Sequence, residues 1–264
     1  MDRAGALRAA LAARGGPRLP AVEWPASLVS TSDRLKALAR GGAPEWTTVL
    51  ADEQTGGRGR EGRTWVSPPG GLYLSVLLRP RFARVGLLPL AAGVAVAEAA
   101  DEVGVRTELK WPNDVLASGG KLAGILSEAA SGPAGIEWVV LGIGVNVAVD
   151  AGGLPPGIRE PVTSLAAEGA GEVTVPGVAA SVLARLCGCY DALRSNPGAL
   201  VAAWRERAAP WWGGLVDVRT AEGSRRGRLR DVDEDGALVL EIEGGERMRL
   251  LSGEVARVRL AGGS

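Results

Sequence analysis

Two rhythms of hydrophobic and polar positions run along the chain, and the first gives way to the second near Gly213. In "STSDRLKALAR", Leu35, Leu38 and Ala39 recur at helical spacing behind a Ser/Thr start, which predicts a loop entering an N-capped helix. "WTTVLADEQ" reads as a β-branched strand, and "GLYLSVLLRP" as a second strand closed by Pro80. "GLLPLAAGVAVAEAADEVG" is apolar almost all round and stops at Gly104, so it predicts a buried helix. "VRTELKWPNDVLASGGKLAGILSEAA" reads strand, tight turn, strand, Gly-Gly hairpin, strand, and "IEWVVLGIGVNVAV" is a further strand. A Gly/Pro-rich loop over 150–161 precedes two helices near 177–194 and 197–208, the second opened by Pro197.

After "PWWGG" the pattern becomes short alternating strands with turns at Glu-Gly-Ser, Asp-Glu-Asp-Gly and Glu-Gly-Gly. This predicts a small β unit of SH3-like barrel size. The expected organisation is a lead-in or short helix over 1–24, an α+β domain over 25–213 and a β domain over 214–264. Strands clustered in hairpins, not alternating with helices, set the α+β class.

Composition narrows the chemistry. The 264 residues carry a net charge of +0, which gives no general affinity for nucleic acid or an anionic membrane. The first 24 residues lack the continuous apolar centre of a signal peptide and no run is long enough to span a bilayer, so a cytoplasmic protein is expected. His is absent, which removes Ser-His-Asp systems, His-ligated zinc and imidazole acid–base chemistry, and leaves neither zinc nor haem expected. Cys187 and Cys189 would project about 200° apart on a helix, too divergent for a disulfide.

The candidate chemistry begins at "TVLADEQTGGRGREGRTWVSPPGG", where residues 57–62 fit the spacing G-x-G-x-x-G. A dinucleotide loop would need a helix after the last glycine, and Pro68 and Pro69 forbid one. Arg58, Arg60 and Arg63 beside Trp65 suit stacking on nucleic acid, but the cluster is small; a solvated surface loop is the bland alternative. An anion cradle is the third reading: glycines turn N–H groups inward while arginines supply charge and bidentate geometry. Further on, Lys110, Asn113 and Asp114 gather around a Pro-fixed turn, where Asp114 suits Mg²⁺ held with substrate phosphates. Lys121 follows the Gly119-Gly120 turn, and simple alternation puts it on the face of Ala123 and Ile125, opposite Gly124. Gly142, Gly144 and Asn146 in an apolar strand signal close approach of a ligand.

The ordered set GRGR-x-GR-x-W, KWPND, KLAGIL and G-x-G-x-N closely resembles the biotin–protein ligases from about Ser30 to Val147, and more loosely through the C-terminal unit. The resemblance implies a biotin ligase catalytic domain like that of class II aminoacyl-tRNA synthetases, with a mixed sheet and flanking helices. It implies ligation of biotin to a lysine of a biotin carboxyl carrier domain of an acyl-CoA carboxylase through biotinyl-5′-AMP, with ATP and Mg²⁺. Carried over, Ser30, Thr31 and Gln54 fix the ureido ring, and Gly57, Arg58 and Arg60 form the loop over carboxylate and phosphate. Arg63 adds a phosphate contact and Trp65 packs on biotin's chain or the loop. Lys121 bridges the carboxylate and the α-phosphate, Lys110, Asn113 and Asp114 form the ATP and metal corner, and Gly124 and Asn146 match the backbone-approach and adenosine-side positions. Ser32 stands where the family commonly has Asn, which bears on the helix cap. The chain has no room for the winged helix of bifunctional members, so a monomeric or weakly dimeric ligase without repressor activity is expected. The alternatives are a lipoate–protein ligase and a non-catalytic biotin or nucleotide sensor.

Overall fold

The computed structural model describes residues 3–133, 135–158 and 160–257. In chain order these form α1 (Arg3–Ala13), β1 (Val22–Glu23), β2 (Ser27–Leu28), α2 (Thr31–Arg40), β3 (Thr48–Ala51), β4 (Glu53–Gln54) and β5 (Gly71–Leu78). Then come α3 (Leu88–Asp101), β6 (Glu108–Lys110), β7 (Asp114–Ala117), β8 (Gly120–Gly132), β9 (Gly135–Asn146), α4 (Val175–Ser195) and α5 (Pro197–Arg207). The C-terminal unit holds β10 (Leu215–Thr220), β11 (Gly223–Val232), β12 (Leu238–Glu241), β13 (Arg247–Leu250) and β14 (Glu254–Arg257). These elements agree with the hydrophobic pattern, including the buried helix α3 and the Pro-opened α5.

A seven-stranded sheet in the order β1-β3-β5-β9-β8-β7-β6 organises the first unit. Only β1 and β3 pair parallel; the remaining neighbours are antiparallel, as the hairpin-rich sequence predicts. Strand β5 is buried on both faces and its side chains serve two layers. Leu72, Leu74, Val76 and Leu78 join the large core beneath α3 and α4. Leu77 faces the other way, with Val49, Trp138 and Val140, to meet Leu35 and Ala39 of α2. Helix α3 needs no polar face, because the sheet and α4 cover it.

Residues 3–13 are more than a lead-in. Leu7 and Leu11, one helical turn apart, are fully buried where α1 packs on α4.

The C-terminal strands form one antiparallel sheet in the order β13-β12-β11-β10-β14. Its inward residues Val216, Val218, Leu229, Val232, Leu238, Leu240 and Val255 belong to the same continuous core as the first unit. Trp111 fastens the two by donating Nε1–H to the Gly236 carbonyl at 3.0 Å.

Candidate active site

Period-two alternation across three neighbouring strands builds the floor of the site. Tyr73, Gly144 and Gly124 lie opposite one another on β5, β9 and β8, and Ser75, Gly142 and Leu126 form the next row. Gly124, Gly142, Gly144 and Ser75 in these rows leave a trough instead of a packed layer. The indole of Trp65 lies in it: a Cβ on Gly144 would come 2.6 Å from Trp65 Nε1, and one on Gly124 would come 2.9 Å from its Cζ3. Part of the close approach expected at these glycines is therefore made by the protein's own tryptophan.

One end of the trough is a chain of neutral hydrogen-bonding groups. Ser30 caps α2 by accepting from the Asp33 N–H, so the cap survives with Ser at position 32. Gln54 Oε1 accepts from Thr31 N–H at 2.9 Å and Thr31 Oγ1 at 3.1 Å, while Gln54 Nε2 donates to Ser67 Oγ. Ser75 Oγ joins Thr31 Oγ1 at 2.9 Å and Ser32 Oγ at 3.0 Å. Gly57 closes this end, because a Cβ there would meet the Trp65 carbonyl at 2.4 Å.

The other end is charged. Lys121 Nζ lies 2.6 Å from Asp114 Oδ1, an ion pair off hydrogen-bond geometry, since that buried oxygen has no hydrogen-bond partner. Lys110 contacts Glu160 closely and lies 4.0 Å from Asp114 Oδ2; Lys121 lies 3.9 Å from Glu160 Oε2. Burial alone would raise the pKa of Glu160, but its hydrogen bond from Lys110 and the charges of Lys110, Lys121 and Arg63 outweigh this and lower it. Lys121 comes to this corner through a β-bulge. Val115 pairs with Ala123 but Leu116 pairs with Lys121, a slip that overturns simple alternation. Lys121 Cε sits 3.5 Å from the place a Gly124 Cβ would take, on the same side as that glycine.

The arginine–glycine loop caps this corner. Arg60 donates to the Gly253 carbonyl at 3.1 Å and approaches Asn113 Oδ1 at 3.5 Å; burial pushes its pKa down. Arg63 pairs with Glu254 at 2.9 Å. Arg58 lines the trough but binds Asp33 and Glu128 at the mouth. Asn113 Nδ2 donates to the Ile125 carbonyl and Asn146 Nδ2 to the Lys121 carbonyl, so both amides brace the strands that carry the charges.

The sequence signals thus lead to residues that converge, apart from Arg58, whose guanidinium is engaged outside. Ser75, Glu160, Gly253 and Glu254 escape a motif-based reading. Ser75 alone had a local signal, a hydroxyl in the apolar run "LYLSVLL".

Two cavities meet here. One, of about 120 Å³, runs from the hydroxyl chain to the lysines. The other, of about 410 Å³, is more apolar and lies between Trp65, Val66, Asn146 and the segment Leu154, Pro155, Pro156 and Ile158. Arg63, Thr64, Trp65, Lys121 and Glu254 line both. The site is thus a pair of adjoining cavities that share Lys121 and Arg63 on their common wall.

Comparison with known proteins identifies the family. Residues 24–146 match the biotin/lipoate A/B protein ligase family, and residues 216–258 the biotin protein ligase C-terminal domain. The chain is 37% identical to a biotin–[acetyl-CoA-carboxylase] ligase of Paracoccus denitrificans, over 76% of this chain and 86% of that protein. It is 36% identical to the ligase of that name from Mycobacterium tuberculosis, over 87% and 86% respectively. A solved biotin protein ligase from Aquifex aeolicus, in complex with biotin and ATP, superposes with a TM-score of 0.75 at 31% identity, covering 91% of this chain and 100% of the other. The chain belongs to the biotin protein ligase family.

Proposed function

We propose that the protein attaches biotin to an acceptor protein in an ATP-dependent reaction, through an acyl-adenylate formed at the junction of the two cavities. The observation that carries this reading is that Lys121 and Arg63 line both the hydroxyl-lined and the apolar cavity, with Lys110 and Arg60 beside them on the smaller one. Biotin has a neutral ureido head and an anionic tail. The hydroxyl–amide end suits the head, and the lysine end suits the tail. The larger apolar cavity suits a nucleotide base and ribose, with the phosphates at Lys121 and Arg63.

Bringing a carboxylate against a triphosphate opposes like charges, and fixed cations in a partly dry site reduce that cost. The carboxylate oxygen attacks the α-phosphorus, the bond to pyrophosphate breaks, and biotinyl-5′-AMP remains. Lys121, 20% exposed and held by Asp114, is placed to neutralise the oxygens at which the new bond forms. Arg60 covers the junction and retains the mixed anhydride. An acceptor lysine amine then attacks the acyl carbon and releases AMP, which needs no enzyme nucleophile. The acceptor we propose is the biotin carboxyl carrier domain of an acyl-CoA carboxylase.

Mg²⁺ fits this corner. Asp114 is the carboxylate that would hold it, its Oδ1 giving up the 2.6 Å contact with Lys121, and Mg²⁺ typically takes one or two carboxylates plus phosphate oxygens. When bound there with ATP, it would supply charge neutralisation at the phosphates. Incubation with biotin, MgATP and a biotin carboxyl carrier domain should add one biotinyl group to the carrier by intact mass. An unmodified carrier, with a known biotin ligase active on the same preparation, would contradict the proposal.

A further inference from the structure

The charged corner contains one group that the ligase chemistry does not use. Lys110 and Lys121 contribute two positive charges, Asp114 and Glu160 two negative ones, and the four sum to zero. In that state the two lysines attract an incoming anion weakly, because both are already neutralised. One carboxylate has to withdraw. Asp114 is held at the start of β7, paired with Lys110 across the turn, and its side chain is 12% exposed. Glu160 sits on the connection after β9, and its side chain is 34% exposed. It can leave for solvent where Asp114 cannot.

We propose that Glu160 is a built-in stand-in for the anionic substrates. Its carboxylate occupies Lys110 and Lys121 and is exchanged for a substrate phosphate or carboxylate on binding. The inference rests on the ligase reading of this pocket and adds a residue to it. Its anchorage makes the exchange consequential. The next residue, Pro161, accepts the Lys121 backbone N–H at 2.7 Å, and Thr163 N–H returns to the Lys121 carbonyl at 3.1 Å. On the other side, Leu154, Pro155, Pro156 and Ile158 wall the apolar cavity. Glu160 thus lies between a fixed point beside Lys121 and the wall of the proposed nucleotide cavity. Its release from Lys110 vacates the position of a phosphate beside that wall.

The test uses the full chain as wild type, Glu160→Gln and Glu160→Asp. In biotin-dependent ATP–pyrophosphate exchange, Glu160→Gln should lower the KM for MgATP about fivefold, the scale of a partly exposed ion pair no longer to be displaced. Glu160→Asp, which keeps the charge, should stay near the wild-type KM. Calorimetry with inorganic pyrophosphate should show the same tightening in Glu160→Gln, and the ratio to wild type should persist at high salt, since contact pairs are screened little. Unchanged affinities overturn the inference, and so does a ratio that collapses with salt. Weaker binding in Glu160→Gln also overturns it, because Glu160 would then assist substrate or metal. If wild type shows no exchange while pyrophosphate still binds Glu160→Gln more tightly, the ligase reading fails and the anion exchange stands.

Discussion

At the scale of residues, the glycines of the trough carry more information than their lack of side chain suggests. Gly144 is needed because Trp65 Nε1 stands 2.6 Å from where its Cβ would be. Gly144→Ala should push the indole from the trough and weaken biotin binding about fivefold or more by calorimetry, a cost on the order of 1–3 kcal/mol for overpacking. Unchanged biotin affinity would show that Trp65 has no part in the pocket. The cysteines give an independent check. Burial pushes the Cys189 thiol up to about 12 and raises Cys187 as well. A thiol reagent at neutral pH should modify native Cys187 slowly and Cys189 more slowly still, both becoming fast on unfolding; rapid native labelling of Cys189 would contradict the packing of α4.

Residues were legible in the sequence to the degree that their signal was local. The Ser30 cap followed from a hydroxyl before a helical pattern, and Gly142 and Gly144 followed from glycines in an apolar strand. Lys121 stands out as a lysine after the Gly119-Gly120 turn and takes its role from the family motif, while strict alternation puts it on the wrong face. A bulge is a property of two paired strands, and β8 alone does not announce it. Glu160 and Glu254 had no local signal, because each acquires its meaning from a partner far along the chain.

At the scale of elements, α1, α3 and α4 are joined by one carboxylate. Glu102 accepts from Arg14, Ser181 and Arg185 at 2.6, 2.8 and 2.9 Å. Burial would raise its pKa, yet the hydrogen bonds from Ser181, Arg14 and Arg185 outweigh burial and lower it from 4.5. A depressed carboxylate pKa stabilises the fold above the unfolded-state value, and that stability is lost as pH falls through the folded-state value. Glu102→Gln should therefore lower the Tm at neutral pH and flatten its decline below about pH 4.5, measured by calorimetry across pH. An identical acid limb in wild type and variant would remove Glu102 from the linkage. In the same layer, Leu11→Ala should cost about 2–5 kcal/mol in denaturant unfolding. A loss of only a few tenths would mean that α1 is not integral to the core, as a loose lead-in would be. The helix pattern was readable for α2, α3, α4 and α5. For α1, Ala-rich sequence with Arg hid the two leucines that tie it to α4.

At the scale of the whole molecule, the C-terminal sheet is more than an appendage. Its strands were readable from their turns, but its contacts with the first unit were not. Arg60 reaches the Gly253 carbonyl, Arg63 pairs with Glu254, Arg205 pairs with Asp231, and one apolar core spans both parts. Tryptophan fluorescence and far-ultraviolet circular dichroism should thus report one coincident denaturant transition; two separated transitions would contradict a shared core. In the proposed reaction, retention of the intermediate would depend on both units, because Arg60 and Arg63 bond to Gly253 and Glu254. Arg60→Gly, which gives up the bond to Gly253, should release biotinyl-AMP and label bystander proteins more than wild type does.

Across all three scales the account depends on Lys121 meeting biotin's carboxylate and the α-phosphate together. The most direct measurement is exchange of labelled pyrophosphate into ATP, with and without biotin, in wild type and Lys121→Ala. Exchange should require biotin in the wild type and fall by about 10²-fold or more in the variant, with its circular dichroism unchanged. Exchange independent of biotin, or equal in a folded Lys121→Ala protein, would contradict the account.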